Sequence, residues 1–163
     1  MLALTMQRTL KFIHSLSAIG LAGGLASYML ILASAPEMAE PTAYATLRAT
    51  LAVVSKWLLV PSMMLVIISG LLAMIANTRF LEMPWVWVKA LSGLVIFEAT
   101  LASIDAPAQR AATATAQAAA GEIDTETLAN LVQNEWGAWW VLLGLSVANV
   151  ALAIWRPRFG WRG

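Results

Sequence analysis

The chain has 163 residues, of which 60% are hydrophobic and 12% charged, with no cysteine and a formal net charge of +1. An ordinary soluble domain holds about 45–50% apolar and about 25% charged residues, so this composition excludes a soluble enzyme. The near-neutral charge excludes a nucleic-acid binder driven by phosphate neutralisation. The lack of cysteine excludes disulfides, iron–sulfur ligation and thiolate metal sites.

Most apolar residues fall in four long stretches with the charges between and beyond them, which predicts an all-α, four-transmembrane-helix bundle in a single integral membrane domain. The first span is 12–33. Arg8 and Lys11 precede it and Ala33-Ser34-Ala35 follows, as in a secretory signal. A signal core has only about 7–15 apolar residues, so this longer stretch reads as a membrane span. An outer segment, 34–53, comes next, and Pro41 there can open a helix that continues into the second span, 54–76. Pro61 lies early in that span, where it removes a backbone donor and predicts a bend.

The third span is 85–104. A second outer segment, 105–135, follows; its part 106–121 is rich in Ala, Thr and Gln and reads as a loose helix or a mobile segment. Asp124 is a plausible N-cap for a lead into the fourth span, 136–155.

Basic residues favour the cytoplasmic side of a membrane. Arg8, Lys11, Arg79, Arg156, Arg158 and Arg162 share one side, against Arg48, Lys56 and Arg110 on the other. Both termini are therefore expected to be cytoplasmic, in the inner membrane of a bacterium. Trp57, Trp136, Trp139 and Trp140 mark the outer interface, and Trp85, Trp87, Trp155 and Trp161 the inner one, as aromatic belts.

Helices in lipid associate through small residues and hydrogen bonds. Gly20-x-x-x-Gly24 with Ser17 and Ser27 supplies a small stripe on the first span; Ser62, Ser69, Gly70 and Ala73 supply one on the second. Ser92 and Gly93 serve the third span, and Gly144 and Ala148 the fourth. All of these read first as packing.

Polar side chains at membrane depth are costly, so they are the functional leads. His14, Asn77, Lys89 and Asn149, one per span, all fall toward the cytoplasmic half and predict a polar cluster there. The only histidine, His14, can ligate haem iron or copper, pass a proton, or hydrogen-bond a neighbouring backbone. Lys89 can hold an anionic group such as a propionate, or snorkel to water. Asn77 and Asn149 read as interhelical hydrogen-bonders. Glu98 in the third span and Lys56 at the start of the second are expected to form a structural ion pair, ahead of a proton-relay role, whereas Lys89 and Glu98 lie on opposite faces of one helix. No Met-x-x-Met or His-rich cluster supports a copper pathway.

Lys11-Phe12-Ile13-His14 before a Gly-rich helix, Tyr44-x-x-Leu47-Arg48, Pro61-x-Met63 with Gly70, Trp85-x-x-x-Lys89 and Asn134-Glu135 resemble, in order and spacing, the HemJ-type protoporphyrinogen oxidase family and its CopD-like four-helix relatives. The resemblance spans about residues 11–140. It implies a membrane-embedded b-type haem with His14 as axial (metal) ligand and Lys89 near the cofactor. It further implies a porphyrin substrate, oxidation of protoporphyrinogen IX, and oligomerisation. The first span departs from the family in lacking the Trp and Arg that usually follow its histidine. Two functions follow as expectations: a haem-binding redox protein of the membrane, or a non-catalytic accessory or assembly subunit of a larger membrane complex.

Overall fold

The computed structural model describes residues 2–37, 40–77, 81–132 and 135–155, and these are almost entirely helical. Helix α1 is Leu2–Ala33. Helix α2 (Pro41–Val54) runs through a π-helical turn, Ser55–Leu59, into α3 (Val60–Ala76). Helix α4 (Pro84–Thr100) runs through a second π-turn, Leu101–Asp105, into α5 (Ala106–Ala119). A short α6 (Thr125–Leu131) and the long α7 (Glu135–Trp155) complete the chain.

Local chemistry sets most of these limits. Pro41 and Pro84 sit in the first turns of α2 and α4, where their missing N–H has no helical partner anyway. Asp124 caps α6, its carboxylate accepting the Thr127 backbone N–H at 2.7 Å. Gly121, at φ 77°, ends α5: the Glu122 N–H reaches back to the Gln117 carbonyl at 2.9 Å and the Gly121 N–H to Ala118 at 3.0 Å. This αL closure suits glycine because it has no Cβ to clash.

The bend expected at Pro61 takes the form of a π-turn. Pro61 and Pro107 each lie just beyond a π-turn and lack the N–H that would close the next bond. The wider turn lets each helix continue past its proline, with the Val60 N–H bonding to the Ser55 carbonyl and the Ala106 N–H to Leu101.

Among the described residues three continuous helices are long and apolar enough to cross a membrane: Thr5–Ala33, Pro41–Ile75 and Pro84–Ala119. At a rise of about 1.5 Å per residue the second and third reach over 50 Å, well beyond a hydrocarbon core of about 30 Å. Helix α7 is shorter, and its 21 residues match the core alone.

Cross-links between helices show which levels coincide. Helix α1 lies against α3, α2 against α5, and α4 against α7. Gln7 donates to the Ala76 carbonyl at 3.3 Å, Asn149 to Ser92 at 3.0 Å, and Ser55 to Asp105 at 2.9 Å. Thus α1 begins and α7 ends at one end of the bundle. The excess lengths, α2 and α5, stand together at the other end with α6 as a cap.

Of the two alternatives for 106–121 the structure has the helix, over Ala106–Ala119, and it is packed on one face. Ala108, Ala111, Ala114 and Thr115 form the buried face of α5 against α2, and small side chains let two backbones approach closely there. Leu128 of α6 joins Tyr44 and Ala114 in a small core of the cap. The main core, including Leu25, Tyr28, Leu59, Met63, Ile96 and Trp139, fills the half of the bundle next to the cap.

Candidate functional site

His14 lies on α1 where that helix packs against α3. Its Nδ1 is 2.9 Å from the Val66 carbonyl oxygen and 3.1 Å from Ser69 Oγ. A carbonyl only accepts, so Nδ1 carries the proton and donates it. The Ser69 hydroxyl in turn donates to the Leu65 carbonyl, leaving its lone pairs for the histidine. This tautomer makes Nε2 an unprotonated nitrogen with an available lone pair.

The sequence provides for this locally. Gly70 follows Ser69, and a Cβ placed on it would stand 3.5 Å from His14 Cε1, so a residue larger than alanine would press on the ring. Lys89 is half-buried on α4, which packs against α3. The structure thus brings together His14 and Ser69 from α1 and α3, with Lys89 on α4, the next helix packed on α3. It also leaves them beyond the apolar cluster that fills the cap-side half, among the described residues.

The expected four-helix polar cluster is divided. Asn149 donates to Ser92 Oγ at 3.0 Å, and Ser92 donates to the Lys89 carbonyl at 2.9 Å, tying α7 to α4 as an interhelical link. Asn77 instead ends α3 in an extended conformation, its own N–H bonding to the Met74 carbonyl.

The Lys56–Glu98 ion pair expected from the sequence does not form. Both residues are exposed, and Lys56 lies over its neighbour Trp57, 5.9 Å from the ring centroid. The inward position at this level belongs to Ser55, which bonds to Asp105, while Gln109 of α5 donates to the Ala52 carbonyl at 3.0 Å. Trp139 is a second correction. It is 2% exposed and stacks on Tyr28 with ring centroids 4.2 Å apart, so it belongs to the core and not to the interfacial belt. Trp57, Trp136, Trp140, Trp87 and Trp155 are exposed, as belt residues should be.

Arg48 is buried in the cap with both its Nε and Nη2 donating to the Tyr44 hydroxyl, at 3.1 and 2.7 Å. Ser69 reads from the sequence as a packing residue and Gln109 as part of the Ala-rich segment, while Ser55 carries no signal there; the partners of all three are set only by helix rotation. Arg79, Asn134, Arg156, Arg158, Trp161 and Arg162 lie outside the described residues.

A family model described as "Predicted integral membrane protein (DUF2269)" matches residues 8–157. No curated protein and no solved structure matches the chain.

Proposed function

The chain belongs to that family of integral membrane proteins, and from this premise we propose that it is a haem-binding redox protein of the bacterial inner membrane, with His14 as axial ligand of a b-type haem. The observation that carries the reading is the His14 tautomer: Nδ1–H donates to the Val66 carbonyl at 2.9 Å, which fixes Nε2 as the free nitrogen. An N–H anchored on a backbone carbonyl is the usual outer support of a metal-bound imidazole, and it orients the ring.

Among the described residues no three His, Cys, Asp or Glu side chains gather. A bare metal ion would find too few protein ligands there. Haem brings four pyrrole nitrogens of its own and asks the protein for one or two axial ligands, which suits a lone histidine. Lys89, on the α4 helix that packs against α3, would supply a positive charge suited to an anionic propionate. The bound group would supply one-electron redox chemistry; the chain would hold the iron ligand in one orientation and keep the porphyrin away from water. The resemblance to HemJ-type proteins supports a place in haem biosynthesis or membrane redox chemistry.

The test is an optical spectrum of the purified protein after haem-replete expression. Wild type is expected to show a Soret band, and His14→Ala to lose it. Ser69→Ala, which spares the Val66 bond, should keep the band with at most about tenfold weaker affinity, the low end of the range for outer-shell partners. A colourless wild type, or a band unchanged in His14→Ala, would falsify the reading.

A second reading, an accessory or assembly subunit of a larger membrane complex, is favoured by the packed cap of α2, α5 and α6 that stands beyond the spanning length. It expects a colourless protein that purifies with a membrane companion in fixed ratio.

A further inference from the structure

Glu98 stands exposed on α4, and among the described residues its carboxyl group makes no hydrogen bond or ion pair. The Ser55–Asp105 bond marks the level where the spanning half of this helix meets the cap. Glu98 lies about two turns below that level, about 10 Å into the span. Lys11 and Lys56 are also exposed, but within a turn or so of the ends of their apolar stretches, from where a long side chain reaches the headgroups. Glutamate is too short for that, and an unpartnered carboxyl in hydrocarbon leaves its hydrogen-bonding groups unsatisfied.

The surroundings of Glu98 define a face. Val88, Leu91, Val95 and Glu98 recur at intervals of three and four residues along α4, and all are exposed. This is the spacing of a seam between paired helices. β-branched residues at alternate seam positions with leucine between them suit a parallel two-stranded pairing. The exposed stripes of α1 and α3, such as Phe12, Leu16 and Ile19 or Met64, Ile68 and Leu71, are apolar throughout, and lipid tails satisfy them. Of these three helices, among the described residues, only α4 carries an acid on its exposed stripe.

We propose that two copies of this chain pair in the membrane through their α4 faces, with the two Glu98 carboxyls hydrogen-bonded to each other and sharing a proton. Two copies inserted the same way round are related by a two-fold axis along the membrane normal, which sets each seam residue of α4 near its own counterpart at the same depth. A carboxyl is self-complementary in such a pair, because the protonated member donates and the ionised member accepts. Lys56 of a second copy cannot serve as well: its backbone is about level with Ile104, about 9 Å nearer the headgroups than Glu98. The pairing needs no cofactor and stands apart from the haem reading.

The chain lacks cysteine, so single cysteines report contacts cleanly. Val95→Cys in native membranes treated with a membrane-permeant thiol oxidant, which takes up the two electrons, is expected to form a disulfide-linked dimer of the 17.5 kDa chain, and Ile68→Cys on the exposed face of α3 is not. Adding Glu98→Gln should preserve the cross-link, since an amide both donates and accepts. Adding Glu98→Leu should lower its yield roughly tenfold, the size of a strong interhelical hydrogen bond in lipid. Glu98→Met, similar in length and unable to bond, must repeat the leucine result. Absence of the cross-link in the Val95→Cys protein, equal cross-linking at Ile68→Cys, insensitivity to both Glu98→Leu and Glu98→Met, or loss of the cross-link on adding Lys56→Gln would each overturn the proposal.

Discussion

Replacing Gly24 by alanine and, separately, Gly23 by alanine places the same methyl on adjacent residues of α1 in opposite surroundings. At Gly24 the added Cβ would lie 2.7 Å from Leu59 Cδ2 and 3.1 Å from Leu58 Cδ2, whereas at Gly23 it would meet nothing within 4 Å. Carbon atoms pack best at about 3.5–4.0 Å, so the first methyl overlaps its neighbour by nearly an ångström. Leu59 is 0% exposed, and it cannot swing aside without displacing the core around it. Overpacking of this kind costs about 1–3 kcal/mol. Against it stands the helix propensity of alanine over glycine, about 0.8–1.0 kcal/mol, which both variants gain. Gly23→Ala should therefore be neutral or stabilising by up to about 1 kcal/mol, and Gly24→Ala neutral to destabilising by about 2 kcal/mol. Because the propensity gain cancels between them, the difference isolates the fit of α1 on the π-turn. Thermal unfolding in one detergent, followed by circular dichroism, should separate the two by about 2–4 °C per kcal/mol for a chain of this size. Identical melting curves, or the reverse order, would refute the account of how α1 seats against Leu59.

Two further perturbations probe the ends of the structure. Asn149→Leu removes the bond to Ser92 and should loosen α7 from α4 by about 0.6 kcal/mol and at most about 1.7 kcal/mol; an unchanged detergent denaturation midpoint would show that the link contributes nothing. The Asp124 carboxyl is held below its ordinary range by hydrogen bonds from the Thr127 hydroxyl and backbone N–H. A depressed folded-state value means the cap contributes fully above the ordinary carboxylate range and loses that contribution as pH falls through the lowered value. Amide exchange at Thr127 and Leu128 should therefore be protected at neutral pH, and the protection should fall in acid, after correction for the intrinsic rate. Asp124→Ala should show the weaker protection at every pH, and if it matches wild type at pH 7 the cap is not what orders α6.

How far the sequence was legible depended on the kind of question asked of it. The Asp124 cap, the start at Pro41 and the use of Gly20 and Gly24 for close approach follow from residues within a few positions of each other, and the structure has them. Gly20 meets Ser62, and Gly24 meets Leu58 and Leu59. Asn149 does bridge two helices, although nothing in the sequence names Ser92 as its partner. The Ala-rich 106–121 segment was the harder case. Alanine is apolar enough to bury and small enough to resemble low complexity, and its role appears only when α2 is laid against it.

By itself the sequence determined the solvent, because hydropathy is a local property: long apolar stretches with few charges must go into lipid whatever they pack against. It also determined that His14 would be the sole imidazole. Only the tertiary structure decided which side chains face inward. That choice depends on the rotation of each helix about its axis, and a π-turn takes in one residue more than an α-turn, so it turns everything beyond it. Two such turns place Ser55 against Asp105 and leave Lys56 on the outside. Packing of the long helices then sets His14 on the Val66 carbonyl, folds Trp139 into the core on Tyr28, and leaves Glu98 facing outward.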